Sequence, residues 1–149
     1  MNAKLVLLVE DNPDDVQLTQ HAFKKLDPGI ILEVISDGVE ALDYLYSRGK
    51  YLNKRPVPQP SLILLDLKMP RINGMEVLEQ IKSSSLTKFI PVVILTSSKE
   101  EQDIFDSYSL HANSYIRKPI DFVEFTWTVG IIAEYWLKLN NVPNITEQF

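Results

Sequence analysis

Hydrophobic positions along the chain gather into five short runs separated by longer segments of helical spacing. The runs are Leu5-Val6-Leu7-Leu8-Val9, Ile30-Ile31-Leu32-Glu33-Val34-Ile35, Leu62-Ile63-Leu64-Leu65, Val92-Val93-Ile94-Leu95 and the weaker Ser114-Tyr115-Ile116. The first, third and fourth are apolar without alternation, the pattern of strands covered on both faces in a parallel sheet. The second carries Glu33 and is more polar, which places it at or near a sheet edge. Between the runs, Asn12 suits a helix cap and Pro13 the first helical position. Val16, Leu18, Ala22, Phe23 and Leu26 then supply an apolar face. Val39, Leu42, Leu45 and Tyr46 mark a second helix, and Met75, Leu78 and Ile81 a third that begins after Asn73-Gly74. Ile104, Tyr108 and Leu110 mark a fourth, and residues 121–140 a fifth. Five strand–helix alternations predict one α/β doubly wound domain.

Residues 47–60 interrupt this rhythm with a long loop holding Arg48, Lys50, Lys54, Arg55 and three prolines. Connections in compact α/β units usually run about 2–6 residues. The segment is either a contact surface for an acidic partner or a solvated, proline-stiffened insertion.

Composition narrows the classes. The chain has 149 residues, 45% hydrophobic and 23% charged, as expected of one globular domain. Its net charge of −5 argues against nucleic-acid binding. Without cysteine it has no disulfide framework, thiol chemistry or Cys-based metal site. No apolar stretch reaches the ~18 residues of a membrane span. The first residues lack a signal-peptide cleavage pattern, so cytoplasm is the expected compartment. Eight residues follow Asn141, too few for an output module, so 1–149 reads as a single domain with a short tail.

Ligands of open parallel sheets bind beyond the carboxyl ends of the strands. Glu10 and Asp11 follow the first run, with Asp14 and Asp15 beyond; Asp66 ends the third, Thr96 the fourth, and Lys118-Pro119 follow the fifth. Asp14 and Asp15 are accounted for by the helix dipole, which favours acids in a first turn. Several carboxylates at one mouth repel one another, and a bound cation relieves the repulsion. Oxygen ligands without His or Cys suit Mg²⁺. Lys118 and Thr96 add donors for a phosphoryl group, and a strand-end carboxylate such as Asp66 can act as a nucleophile and form an aspartyl phosphate. His21 and His111 each stand alone and are assigned to neither metal nor phosphotransfer.

Val9-Glu10-Asp11-Asn12, Leu64-Leu65-Asp66-Leu67-Lys68-Met69-Pro70 with Asn73-Gly74, Ile94-Leu95-Thr96-Ser97 and Tyr115-Ile116-Arg117-Lys118-Pro119 together resemble the receiver domain of two-component response regulators, over about residues 4–139. The resemblance implies a flavodoxin-like five-stranded parallel sheet of order 2-1-3-4-5 with five helices. It implies that Asp66 is the phosphoacceptor of a Mg²⁺-dependent phosphorelay fed by a sensor histidine kinase. Asp11, Asp66 and the main-chain carbonyl of Lys68 would ligate the metal, with Glu10 acting largely through water, and Lys118 would pair with the phosphoryl group. Thr96 and Tyr115 match the switch pair, in which phosphorylation draws the hydroxyl to the phosphoryl group and the ring inward. The chain would be a signalling phosphoacceptor that assists its own phosphotransfer and dephosphorylation, rather than an enzyme on small molecules. Lys68 and Ser98 flank the path of hydrolytic water, and the Lys68 side chain is expected to slow hydrolysis.

The loop before the third run, Lys118-Pro119-Ile120-Asp121-Phe122, and Tyr135-Trp136-Leu137 followed by Asn141-Val142-Pro143 are similar to the small response regulators of cyanobacterial phytochromes. That finer resemblance implies a light-sensing, phytochrome-type kinase as partner.

The fifth helix carries two apolar stripes. Phe122, Phe125, Val129, Ile132 and Trp136 form one, expected to face the sheet. Val123, Trp127, Ile131 and Tyr135 form the other, expected to be a homodimer interface; coverage by the tail is the alternative. A flavin-binding carrier of similar fold is disfavoured because Glu10, Asp11, Asp14 and Asp15 would repel the cofactor phosphate. A dehalogenase-like phosphatase is disfavoured because Lys68 stands where that family has a second Asp. The remaining alternative is a phosphorylation-independent dimeric interaction module on a receiver scaffold.

Overall fold

The computed structural model describes residues 4–53 and 59–143. Five parallel strands form one sheet of order β2-β1-β3-β4-β5. They are β1 (Leu5–Val9), β2 (Ile31–Ile35), β3 (Leu62–Leu65), β4 (Val92–Thr96) and β5 (Ser114–Arg117). The helices are α1 (Pro13–Leu26), α2 (Gly38–Leu45), α3 (Gly74–Ser83), α4 (Glu101–Ser109) and α5 (Phe122–Glu134). The flavodoxin-like fold and strand order expected from the sequence are both present.

The unalternating runs are explained by the two cores. Leu7, Val9, Ile63, Leu65 and Ile94 point to one face and pack against α2 and α3 through Leu42, Leu45, Val77, Leu78 and Ile81. Val6, Leu8, Leu62, Leu64 and Val93 point to the other and meet α1 and α5 through Phe23, Phe125, Val129 and Ile132. Each such fully buried side chain contributes about 1.5–3 kcal/mol relative to exposure. β2 is an edge strand, as its polarity suggested.

The caps follow local chemistry. The Asn12 side chain accepts from the amides of Asp14 and Asp15, and Asn73 and Asp121 accept from Glu76 and Glu124 in the same way.

Three expectations need correction. The stripe expected to face the sheet includes Phe122, but this residue stands at the first position of α5 and is 54% exposed, because the sheet ends before it. The apolar spacing that marks α4 includes Tyr108, yet that residue is exposed and only Ser107 of the helix is buried, because α4 covers just the sheet margin. The last helix does not run uniformly to residue 140: Tyr135–Leu139 form a π-turn closed by the Asn140 amide on the Tyr135 carbonyl. The extra residue in the turn shifts the side chains after it: Leu137, which belongs to neither stripe, is buried, and Trp136 of the inner stripe is only partly so.

The start of the interrupting loop is not simply solvated. A 3₁₀ turn, Gly49–Tyr51, packs Tyr51 into the core edge-on to Tyr44, with its hydroxyl donating to Glu40 at 2.9 Å. Arg48 pairs with Asp43 and Lys50 with Glu40. Lys54 and Arg55 lie outside the described residues. Among those described, no helix is long and apolar enough to cross a membrane.

Candidate functional site

The order in which strands are added reverses between β1 and β3 of this parallel sheet, and the loops leaving their carboxyl ends diverge to open a crevice. Sheet hydrogen bonding delivers the chemistry to it. The Glu10 amide continues the ladder onto Ile35 O, the Asp66 amide onto Val9 O and the Lys118 amide onto Thr96 O, at 3.0, 3.0 and 2.7 Å. Residues far apart in sequence thus meet at one mouth. A groove of about 620 Å³ opens elsewhere, among Lys4, Ser61, Phe89 and Pro143 at the other end of the strands; none of its lining residues is acidic.

Lys118 is the hub. Its Nζ lies 2.5 Å from Glu10 Oε1, 2.7 Å from Asp15 Oδ2 and 2.9 Å from Asp66 Oδ2, and its side chain is 8% exposed. Asp66 is 6% exposed. Its Oδ1 accepts from the buried Thr96 Oγ1 at 2.8 Å and from the Lys68 amide at 3.2 Å. Both oxygens of the strand-end carboxylate are therefore oriented by fixed donors.

The electrostatics sort the carboxylates. Burial and the hydrogen bond with Asp66 push Glu10 up to about 8, against the pull of Lys118. Burial acts to raise Asp66 too, but hydrogen bonds with Glu10, Lys118 and Thr96 outweigh it and hold Asp66 below the ordinary carboxylate range. Burial likewise disfavours charge on Lys118, yet its bonds to Asp15, Glu10 and Asp66 prevail and raise it above the ordinary lysine value. These opposed shifts favour the proton on Glu10 and the charge on Asp66, and an ionised carboxylate is the form a nucleophile needs.

Carboxylate oxygens of Glu10, Asp11 and Asp66 all lie within 4.8 Å of one another. Such an all-oxygen donor set, partly open to solvent at Asp11, fits a hard divalent cation that keeps several waters. The site thus combines a cation cradle, an ionised carboxylate and two donors for an anionic group.

Of the residues singled out from sequence, Glu10, Asp11, Asp66, Thr96 and Lys118 converge. Glu10 is in direct contact with Lys118. Asp15, which the helix dipole alone seemed to explain, is a direct Lys118 partner across 103 residues of chain. A first-turn acid carries no local signal of such a role.

Tyr115 packs half-buried against the core, and its hydroxyl donates to Ser98 O at 2.9 Å. Ser98 in turn donates to Asp103 at 2.5 Å. Thr96 thus faces Asp66, and Tyr115 is tied to the loop that follows β4. The Lys68 side chain is exposed. Val123, Trp127, Ile131 and Tyr135 lie outside the site, exposed by 70, 66, 48 and 48% along the outer side of the last helix.

Comparison with known proteins agrees with this geometry. Residues 6–129 match the family described as response regulator receiver domain. The chain is 42% identical to the probable methanogenesis regulatory protein FilR2 of Methanothrix harundinacea, over 93% of this chain and 87% of that protein. It is 39% identical to response regulator Rcp1 of Synechocystis, over 94% and 93%. Among solved structures, that of the phosphorylated cyanobacterial phytochrome response regulator RcpA superposes with a TM-score of 0.89 at 42% identity, over 95% of this chain and 99% of that one. A Mn²⁺-bound form of Rcp1 superposes with a TM-score of 0.85, covering 95% of this chain and 99% of its own.

Proposed function

The chain belongs to the response regulator receiver domain family, and from that premise we propose that it accepts a phosphoryl group on Asp66 from a sensor histidine kinase in a Mg²⁺-dependent phosphorelay. The observation carrying this reading is the pair of oriented oxygens on Asp66, one held by Thr96 and one by Lys118, beside the Glu10–Asp11 cation cradle. Glu10, Asp11, Asp66 and the Lys68 main-chain carbonyl would hold Mg²⁺, which supplies charge neutralisation for the incoming phosphoryl oxygens. Asp66 attacks phosphorus, its new O–P bond replacing the N–P bond of the donor phosphohistidine. Lys118 and the Thr96 hydroxyl then move their hydrogen bonds from the carboxylate to phosphoryl oxygens. Tyr115, bonded to the β4–α4 loop at Ser98, carries that change to the α4–β5–α5 side. Slow loss of the group by water attack resets the protein, with Lys68 retarding it.

The likeness to RcpA, a cyanobacterial phytochrome response regulator, supports a phytochrome-type light sensor as the kinase. The exposed Val123, Trp127, Ile131 and Tyr135 support a homodimer through the last helix, since aromatic anchors of this kind are enriched at interface cores.

Wild type and Asp66→Asn incubated with acetyl phosphate, with and without Mg²⁺, test the central claim by intact mass. One phosphoryl group gained by wild type only, and only with Mg²⁺, is expected; equal labelling of Asp66→Asn overturns the assignment. Changing Trp127 and Ile131 to polar residues should yield a monomer on sizing, and an unchanged elution volume counts against that interface.

A further inference from the structure

The segment joining β3 to α3 carries Lys68 and is bent at its tip. Arg71 has φ +67°, and the Ile72 amide donates to Pro70 O at 2.9 Å. A bond spanning one residue of positive φ is a γ-turn of the rare, strained hand. A non-glycine residue keeps such a conformation only where its surroundings over-determine it.

The surroundings here are the start of α2. Arg71 Nε donates to Asp37 Oδ2 at 2.6 Å and Nη2 to Oδ1 at 2.8 Å. The same carboxylate caps α2 by accepting from the Glu40 amide at 3.0 Å. The next residue, Gly38, admits the turn itself, since a Cβ there would stand 2.7 Å from Ile72 O. At the base of the segment the Gly74 amide donates to Leu67 O at 2.8 Å. Lys68 is thus spanned by a tie at the base and a clamp at the tip. An exposed ion pair is ordinarily worth little; the two-pronged geometry and the strained turn it holds set this one apart.

We infer that Arg71 and Asp37 are positioning residues for metal binding: their fork holds the strained turn so that the Lys68 main chain stays presented to the cation site. The inference rests on the metal-dependent reading above. Without the fork the turn relaxes, the segment spends part of its time with the Lys68 carbonyl turned away, and the apparent Kd rises as the competent fraction falls.

Arg71→Gln, Asp37→Asn and the double variant test this. Asn keeps the helix cap through its Oδ1, so Asp37→Asn removes the carboxylate charge and the Nε prong, breaking the two-pronged fork without uncapping α2. Mg²⁺ affinity is measured by calorimetry, and hydrogen exchange of the Ile72 and Gly74 amides is followed in metal-free protein. Each single change is expected to raise the Mg²⁺ Kd about tenfold and to speed exchange at both amides, with a melting temperature near wild type. The double variant should be no worse than either single, because one interaction is lost in all three. Arg71→Lys, which keeps the charge but not the fork, should recover only part of the affinity. Wild-type binding with unchanged Kd and exchange in the single variants, or additive effects in the double, overturns this inference alone. A wild type that binds no Mg²⁺ overturns the metal reading and this inference with it.

Discussion

Replacing Gly74 by alanine probes how closely the first turn of α3 is seated on the phosphoacceptor strand. A Cβ at this position would stand 2.4 Å from Asp66 O and 2.6 Å from Leu67 Cα. Both are backbone atoms, so no side-chain rotation relieves the overlap. A carbon–oxygen contact settles near ~3.3 Å, so helix start and loop must part by about 0.9 Å. Overpacking of this kind costs about 1–3 kcal/mol. With about 2–4 °C lost per kcal/mol at this chain length, the Tm should fall by roughly 2–12 °C. The displacement lands on the Asp66 and Leu67 backbone, and a shift of about 1 Å at a reacting centre costs on the order of 100-fold in rate. Thermal unfolding by circular dichroism and Mg²⁺-dependent labelling by acetyl phosphate, followed by intact mass at a temperature where the variant is folded, read the two effects. Gly130→Ala is the control: nothing lies within 4 Å of its added Cβ, and inside α5 it should gain about 0.5–1 kcal/mol. A Gly74→Ala protein with wild-type Tm and labelling rate refutes the reasoning.

Lys118→Met leaves Glu10, Asp15 and Asp66 without their shared cation; metal-free protein should lose about 3 kcal/mol, and melts in chelator and in excess Mg²⁺ should show much of it restored by the metal. His111, the residue after the Leu110 cap of α4, has φ +71°, so His111→Gly should stabilise by about 1 kcal/mol in urea unfolding. The Arg71 hydrogen bonds hold the Asp37 carboxyl below its ordinary value of 3.8. The stabilisation from this pair is therefore complete above that value and is lost as pH falls through the lower folded one. Stabilities of wild type and Arg71→Gln, measured by urea unfolding across pH, should differ slightly near neutrality, by too little to move the melting temperature appreciably, and converge only as pH falls from 3.8 through the lower folded value.

The strands and the acids at their ends were legible in the sequence because both are local. An unbroken apolar run states that both faces of a strand are covered, and the next residue necessarily emerges at the sheet's end. Glu10, Asp66, Thr96 and Lys118 could thus be placed by position in the chain. Helix orientation was less legible: the period of α4 defines a face, but only the sheet margin decides that Tyr108 lies outside it. The π-turn at Tyr135–Leu139 has no compositional mark. Tertiary structure alone decided that Asp15 serves Lys118 rather than merely the helix dipole, that Tyr51 anchors the connection after α2, and that Arg71 reaches Asp37. Those are pairings between elements. Their energy depends on distances set by packing, and the residues themselves look like ordinary surface acids, bases and aromatics until the sheet brings them together.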